Sequence, residues 1–209
     1  MAGMVGKWAW RRRDVACFEG PWRERRAAVW PCLARGLRDN WAMAKTSHPT
    51  ETPATAWLKQ HQVHFELRPY DYVDHGGTAE SSRQLGVPEH QVVKTLVMQD
   101  EAKRPLVVLM HGDCSVSTKQ LARAIGVKSV QICDPEVAQR HSGYLVGGTS
   151  PFGLRKPMPV YVEQGILELP QICINGGRRG LLVALSPQVL VSALAARPVQ
   201  CALPERTGH

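Results

Sequence analysis

The sequence predicts a mixed α+β domain, within the α/β class in the broad sense, built on a substantial sheet. Three observations predict it. Apolar runs of strand length recur, among them residues 92–98 and 106–110. Cap signatures at Thr52-Pro53, Ser117 and Asp134-Pro135 open segments of helical spacing. The two kinds of segment neither alternate strictly nor segregate, which argues against a simple βαβ repeat and for a mixed arrangement.

Each element has a local reason. Thr52 followed by Pro53, Ala54, Ala56, Trp57 and Leu58 predicts a helix with Thr52 as N-cap and Pro53 at the first helical position. Alternation over 63–70 predicts a strand. A helix over 78–85 is stopped by Gly86 and Pro88. Residues 92–98 read as a strand, and the continuous apolar run 106–110 suits a buried one. Ser117 caps a helix that carries Leu121, Ala124 and Ile125 on one face and ends at Gly126. Asp134-Pro135 starts a further helix by the same logic. Residues 159–162, 171–174 and 181–185 are strand candidates, and Ser186-Pro187 opens a last helix through Leu194.

Composition narrows the class. The chain has 209 residues, room for one sizeable domain and an extension. No run of about 18 apolar residues exists, so no transmembrane helix and no membrane partner are expected. The six cysteines form no CxxC pair, a usage that suits a reducing cytosol and predicts a cytoplasmic protein. The formal charge is +8, with nine Lys/Arg against four Asp/Glu over residues 1–43 and 17 against 14 over 44–209. The folded part is thus only mildly basic, and charge alone does not identify a nucleic-acid enzyme.

Residues 1–43 read differently from the rest. They hold five of the six tryptophans and the run Arg11-Arg12-Arg13, and show little periodicity. A basic arm for phosphates, an organelle leader and an upstream extension of a protein that starts at Met43 are the alternatives. Asp14, Glu19, Glu24 and Asp39 weigh against a leader. The expected organisation is an N-terminal extension over 1–43, outside the fold, a folded domain over 50–203, and a tail over 204–209.

Three segments carry candidate chemistry. In the first, Lys94 sits between Val93 and Thr95 near the start of an apolar strand. A buried ammonium needs a partner, so it reaches solvent, an acid or a ligand, and an edge-strand lysine is the plain alternative. The second is the glycine-rich run 143–153, which contains Gly147, Gly148, Thr149 and Ser150. Glycines admit positive φ and close ligand approach, and consecutive N–H groups can bind an oxyanion or phosphate. A tight turn explains the same residues, and neither GxxxxGK[ST] nor GxGxxG is satisfied. The third is Asn175-Gly176-Gly177-Arg178-Arg179-Gly180 between two apolar runs, where a hairpin suffices for the glycines and the arginines suit phosphates or solvent. His111 and Cys114 alone do not make a zinc site, and no GxSxG elbow is present, so neither a metal nor a cofactor is expected.

Taken together, these segments resemble the YbaK/EbsC family, whose fold is shared with the editing domain of bacterial prolyl-tRNA synthetases. The likeness runs in order through Thr52-Pro53-Ala54, Tyr70-Asp71, Leu85-Gly86, Val93-Lys94-Thr95-Leu96-Val97, Gly126-Val127-Lys128, Asp134-Pro135, residues 143–153 with Lys156, and Gly176-Gly177-Arg178-Arg179-Gly180. The resemblance implies a curved mixed sheet flanked by helices and hydrolysis of the ester joining a wrong amino acid to tRNA, with Cys-tRNA(Pro) the leading substrate. By that likeness Lys94, Gly147 and Gly148 are catalytic, and Tyr70, Thr95, Thr149, Ser150, Asn175, Gly176, Gly177 and Arg178 bind substrate. The implied partners are the acceptor end of mischarged tRNA and, transiently, prolyl-tRNA synthetase. The sequence departs from the family at Asn175, where serine is usual, so the amino-acid preference can differ if that amide faces the pocket.

Two reaction routes are open. In one the substrate's own thiol attacks its ester; in the other a positioned water does, and substrates without a thiol, such as Ala or Ser esters, are cleaved too. A non-catalytic module that binds a tRNA end or nucleotide in the same cavity is the alternative from another class.

Overall fold

Cap chemistry sets the first helix. Thr52 Oγ1 accepts from Thr55 N at 3.1 Å, and Thr55 Oγ1 accepts from Thr52 N at 2.8 Å, a reciprocal box that satisfies orphan donors at the start of α1 (Pro53–Gln60). The structure, a computed structural model, describes residues 51–204. The expected extension over 1–43 and residues 205–209 of the tail lie outside the described residues.

The remaining helices are α2 (Gly77–Leu85), α3 (Thr118–Ile125), α4 (Pro135–Ser142) and α5 (Gln188–Ser192). Gly86 and Gly126 end α2 and α3 in the left-handed conformation, as expected. Ser117 caps α3 by accepting from Gln120 N. Two expected caps do not form. Asp134 makes no side-chain bond to α4, so Pro135 alone marks that start. Ser186 Oγ donates to Gln188 Oε1 at 2.8 Å instead of capping α5, which stops short of Leu194.

The strands are β1 (Glu66–Pro69), β2 (Val92–Asp100), β3 (Pro105–His111), β4 (Cys114–Val116), β5 (Val130–Ile132), β6 (Val160–Glu163), β7 (Ile172–Arg178), β8 (Leu181–Leu185), β9 (Arg197–Val199) and β10 (Ala202–Pro204). The main sheet runs β1-β8-β7-β2-β3-β6-β9, with β5 added beside β2, while β10 and β4 pair separately. It is mixed: β2 pairs antiparallel with β3 and parallel with β7, and β3 pairs parallel with β6. The expected α+β class is therefore the observed one. Pairings between segments far apart in sequence, such as β2 with β7, require the intervening chain to cross over, which is why helices and strands interleave without a strict repeat.

Alternation along β2 sorts the core. Val93 and Val97 join the main cluster with Leu109, Ile174, Phe152 and Leu58. Met98, with Leu96 beside it, packs against Val108 and Met110 in a second cluster. Val92 packs with Cys173, Leu182 and Ala184, under Tyr70 and Leu85, in a third. Lys94 has the parity of Val92, Leu96 and Met98, and Thr95 has that of Val93 and Val97.

Candidate functional site

The two glycine-rich segments meet through Asn175. β7 and β8 form the expected hairpin, with an irregular register between Asn175 and Arg178. Asn175 is buried, and its amide is used at both ends: Nδ2 donates to Gly147 O at 3.0 Å, and Oδ1 accepts from Gly177 N at 2.8 Å. Thr52 Oγ1 donates to Gly176 O at 2.5 Å, which ties the start of α1 to the same hairpin. At the far end of the 143–153 run, buried Tyr144 donates its hydroxyl to Phe152 O at 2.6 Å.

The Gly147 turn is clamped peptide by peptide. The unit between Gly147 and Gly148 is held by Asn175 at its carbonyl and by Leu145 O, which accepts from Gly148 N at 2.9 Å. The unit between Val146 and Gly147 is held at its carbonyl by Arg179 Nε at 3.0 Å. Because a trans peptide points its C=O and N–H in opposite directions, anchoring Val146 O also fixes where the Gly147 N–H points. That N–H donates to no other described residue. The expectation of two oxyanion donors is thus corrected: the Gly148 N–H is committed within the turn, and Gly147 alone has one to offer. Gly147 has φ +85°, and a Cβ on Gly148 would lie 2.9 Å from Arg179 N and 3.0 Å from Arg178 C, so the turn seats directly on the hairpin backbone.

Beside this turn lies a cleft of about 510 Å³ lined by Tyr70, Asp71, Tyr72, Leu85, Arg178 and Arg179 among others. Burial pushes the Tyr70 phenol above its ordinary pKa, against a lowering hydrogen bond from the Gly180 backbone. The Arg179 guanidinium lies 5.0 Å from the centre of the Tyr72 ring, whose hydroxyl donates to Asp74 Oδ1 at 3.1 Å. Arg178 Nε is buried and has no hydrogen-bond partner among the described residues. A second cleft, of about 570 Å³ between Gln120, Arg123, Glu163 and Gln200, contains none of the expected site residues.

Lys94 and Asn175 fall on one face of the sheet. Val92 lies opposite Cys173 in the parallel β2–β7 ladder, and two residues further along each strand come Lys94 and Asn175. Lys94 is half-buried. It also lies within electrostatic range of Cys114: burial pushes that thiol up to about 11, Asp113 adds to the rise, and the Lys94 ammonium opposes it.

The other expected residues divide. Thr95 turns to the opposite face of β2, because adjacent strand residues point apart, and its hydroxyl is buried without a partner among the described residues. The structure therefore does not bring Thr95 together with Lys94 and Asn175. Ser150 is wholly buried, with its Oγ facing Phe152 N at 3.4 Å, and supports the turn from within. Thr149 Oγ1 donates to Leu145 O at 3.4 Å.

A further cluster joins Cys114 to two side chains that no sequence spacing marks, His90 and Asp113. His90 Nδ1 lies 2.9 Å from Asp113 Oδ1, and Cys114 Sγ lies 3.5 Å from the same oxygen. The three side chains place one nitrogen, one oxygen and one sulfur ligand atom within 4.8 Å of each other, so they are the described residues that could hold a metal ion. Burial acts to raise the Asp113 carboxyl, but hydrogen bonds from His90 and Cys114 outweigh it and hold the pKa below its ordinary value. His111, named with Cys114 from the sequence, turns away: its ring stacks on His90 and its Nδ1 bonds His90 O at 2.7 Å.

The sequence model of the aminoacyl-tRNA editing domain matches residues 75–193, more than half of the chain. The chain belongs to the aminoacyl-tRNA editing domain family. With that family, the expected class of enzyme, an aminoacyl-tRNA deacylase, stands. The chain is 29% identical over 151 residues to EbsC of Enterococcus faecalis, provisionally named a Cys-tRNA(Pro)/Cys-tRNA(Cys) deacylase, covering 72% of this chain and 92% of that one. It is 31% identical over 84 residues to the proline–tRNA ligase of Nitratidesulfovibrio vulgaris, 40% of this chain but 14% of the ligase. A solved structure provisionally described as a trans-editing enzyme for prolyl tRNA synthetase superposes with a TM-score of 0.67 at 21% identity, over 75% of this chain and 98% of the other, a likeness of fold. Among the described residues, no helix of this editing protein is long and apolar enough to cross a membrane.

Proposed function

We propose that this chain is a trans-acting, cytoplasmic editing enzyme that frees tRNA from a wrongly attached amino acid, with Cys-tRNA(Pro) as its leading substrate. A synthetase pocket separates small side chains that differ by a methylene by only about 1–3 kcal/mol, so cysteine enters a proline site and a second site must remove the product. A transient complex with prolyl-tRNA synthetase supplies the choice of tRNA.

The observation that supports the reading is the double clamp on the Gly147 turn, which leaves one oriented N–H without a partner among the described residues. In the proposed reaction the ester carbonyl oxygen lies against that N–H. The cysteine thiol attacks its own carbonyl carbon, an S–C bond forms, the C–O bond to the terminal ribose breaks, and the thiol proton passes to the leaving ribose oxygen. The resulting thiolactone is then opened by water. The enzyme supplies proximity, worth at most about 7–11 kcal/mol, and charge stabilisation at the oxyanion. Lys94 carries an ammonium on the same sheet face as Asn175 and holds the terminal phosphate or the developing negative charge. Tyr70 and Arg178 line the approach. Asn175 serves the turn, so its amide acts on specificity through the position of Gly147.

The test is the hydrolysis of tRNA(Pro) charged with Cys, Ala or Ser. The thiol route predicts rapid loss of Cys and near-complete sparing of Ser, which has the same shape and a poorer nucleophile. Equal rates for Cys and Ser replace the thiol route with attack by water. Lys94→Ala is expected to abolish turnover with an unchanged circular dichroism spectrum, and wild-type turnover by that variant removes Lys94 from the site.

A further inference from the structure

The His90–Asp113–Cys114 cluster is assembled from two segments that the fold locks together. His90 belongs to the 3-10 turn Glu89–Gln91 that leads into β2, and Asp113 and Cys114 lie where β3 gives way to β4. The two backbones touch: a Cβ on Gly112 would collide with the carbonyl oxygen of Glu89, so glycine is what lets the second segment seat on the first. Thr78 Oγ1 lies 2.7 Å from Glu89 Oε1 and 3.1 Å from Gly112 O, and so bridges both from α2. The His90 ring is held flat against His111, with centroids 3.7 Å apart and planes 11° from parallel, and His111 Nδ1 is bonded to the carbonyl of His90. These contacts fix where the three side chains start and how the imidazole is turned.

The thiol faces the carboxylate and not the imidazole. Cys114 Sγ is 3.5 Å from Asp113 Oδ1, and His90 Nδ1 is 2.9 and 3.0 Å from the two carboxylate oxygens. A carboxylate beside sulfur opposes a thiolate, so the three do not make a nucleophile. They suit a cation instead. One imidazole nitrogen, one carboxylate oxygen and one sulfur are the ligand types of zinc, whereas calcium and magnesium take oxygen. Zinc bonds of about 2.0–2.3 Å at tetrahedral angles set ligand atoms about 3.3–3.6 Å apart. The measured separations of 2.9 and 3.5 Å are close to that, and all three atoms fall within 4.8 Å of one another, so side-chain rotation closes the set. The His90 and Asp113 side chains are nearly half open to solvent, which gives an ion a path in. We propose that His90 Nδ1, Asp113 and Cys114 Sγ bind a zinc ion, with water in the fourth position. On binding, the thiol proton is released and the imidazole proton sits on Nε2. One thiolate and one carboxylate neutralise the ion, and of the charged neighbours within range of the sulfur, Lys94 and Glu163 offset each other. The ion staples the entry of β2, the end that carries Lys94, to the β3–β4 turn. The proposal is independent of the tRNA reading.

The experiment titrates the full chain, reduced and stripped with a chelator, with Co²⁺, whose visible bands report tetrahedral geometry and whose near-ultraviolet charge-transfer band reports bonded sulfur. Wild type should show both signals, and Zn²⁺ should displace them. Cys114→Ser should lose the charge-transfer band. His90→Gln and Asp113→Asn should each weaken Zn²⁺ binding by at least about 100-fold, beyond the ~10–100-fold expected of a residue that only supports a ligand. Free Zn²⁺ at about a hundred times Kd should raise the wild-type Tm by about 5–11 °C and leave the Tm of these variants in place. Circular dichroism and the metal-free Tm keep a folding defect apart from the loss of a ligand. His90 is exposed, so His90→Gln decides the matter if Cys114→Ser does not fold. Absence of the charge-transfer band in wild type, its persistence in Cys114→Ser, an unchanged Zn²⁺ affinity in His90→Gln, or an equal gain in Tm from Ca²⁺ or Mg²⁺ each overturns the site.

Discussion

Asn175→Ala tests the clamp most directly. The substitution removes the bond from Nδ2 to Gly147 O and the acceptor for Gly177 N. Gly147 is exposed, so its carbonyl turns to water and the loss there is that of an ordinary bond, about 0.5–1.5 kcal/mol. Gly177 is half-buried, and its unpaired N–H costs about 1–3 kcal/mol. The two together amount to about 1.5–4.5 kcal/mol, or roughly 3–18 °C in Tm for a domain of this size. The effect on rate is bounded from above by deletion of an oxyanion donor, about 10²–10³ in kcat. Here the donor remains, and only its aim is loosened while Arg179 still holds Val146 O, so a fall of about 10- to 100-fold is expected at an unchanged KM. Asn175→Asp separates the two bonds. A carboxylate still accepts from Gly177 N but sets negative charge against the Gly147 carbonyl, so kcat should fall as far as in the alanine variant while the Gly177 bond survives. Single-turnover deacylation of Cys-tRNA(Pro), with thermal unfolding alongside, reads both. Wild-type kcat in both variants would refute the idea that this amide aims the turn.

Gly148→Ala drives a Cβ into the backbone of Arg178 and Arg179, so the turn must lift, and both kcat and stability should drop, the latter by about 1–3 kcal/mol in urea unfolding. Phe152 is wholly buried, 5.4 Å from the Trp57 ring, and Phe152→Ala should cost about 3–5 kcal/mol by the same measurement. His111 is buried, and burial holds its pKa below 6.5. The unfolded chain therefore takes up a proton below about pH 6.5 that the folded chain refuses, so stability should be flat above that pH and fall as the pH drops towards the folded-state value. His111→Gln should flatten part of that slope; His141, shifted down chiefly by burial as well, supplies a remainder. An unchanged slope in His111→Gln removes His111 as the cause.

What could be read from the sequence is what local chemistry decides. Thr52, Gly86 and Gly126 act within one turn of their own helices, and the expected boundaries hold there. The three-residue strands β4, β5, β9 and β10 leave no signal in the sequence, because three residues cannot show an alternation. They exist through partners elsewhere, as Ala202 opposite Val116 illustrates. The shortening of β1 has the same origin: Val63 and Phe65 pack on the main core, but only residues 66–69 find a partner in β8.

The candidate site divides along the same line. Glycine clusters are conspicuous because few physical reasons place consecutive glycines beside apolar strands, and both clusters lie where the chain must approach itself. Which atoms they present is a long-range matter. Arg179 grips Val146 across 33 residues and Asn175 grips Gly147 across 28, and neither spacing leaves a sequence signature. Adjacency in sequence misled at Thr95: it follows Lys94 directly, yet strand alternation sends the two side chains to opposite faces. Asn175 is the instructive case. In the sequence it is a change of chemistry at a position the resemblance assigns to the pocket, and specificity is the expected consequence. A serine hydroxyl has one donor and a shorter reach, whereas the asparagine amide spans from the Gly177 N–H to the Gly147 carbonyl, with donor and acceptor on separate atoms. A substitution that looked like a new contact for the substrate is, in the fold, a longer strut between the hairpin and the turn. Its effect on the reaction must then pass through the position of one backbone N–H, and Asn175→Ser should lower the Cys-tRNA(Pro) rate without raising hydrolysis of Ala- or Ser-tRNA(Pro), measured on the same panel; a gain on either ester would make Asn175 a direct contact for the amino acid.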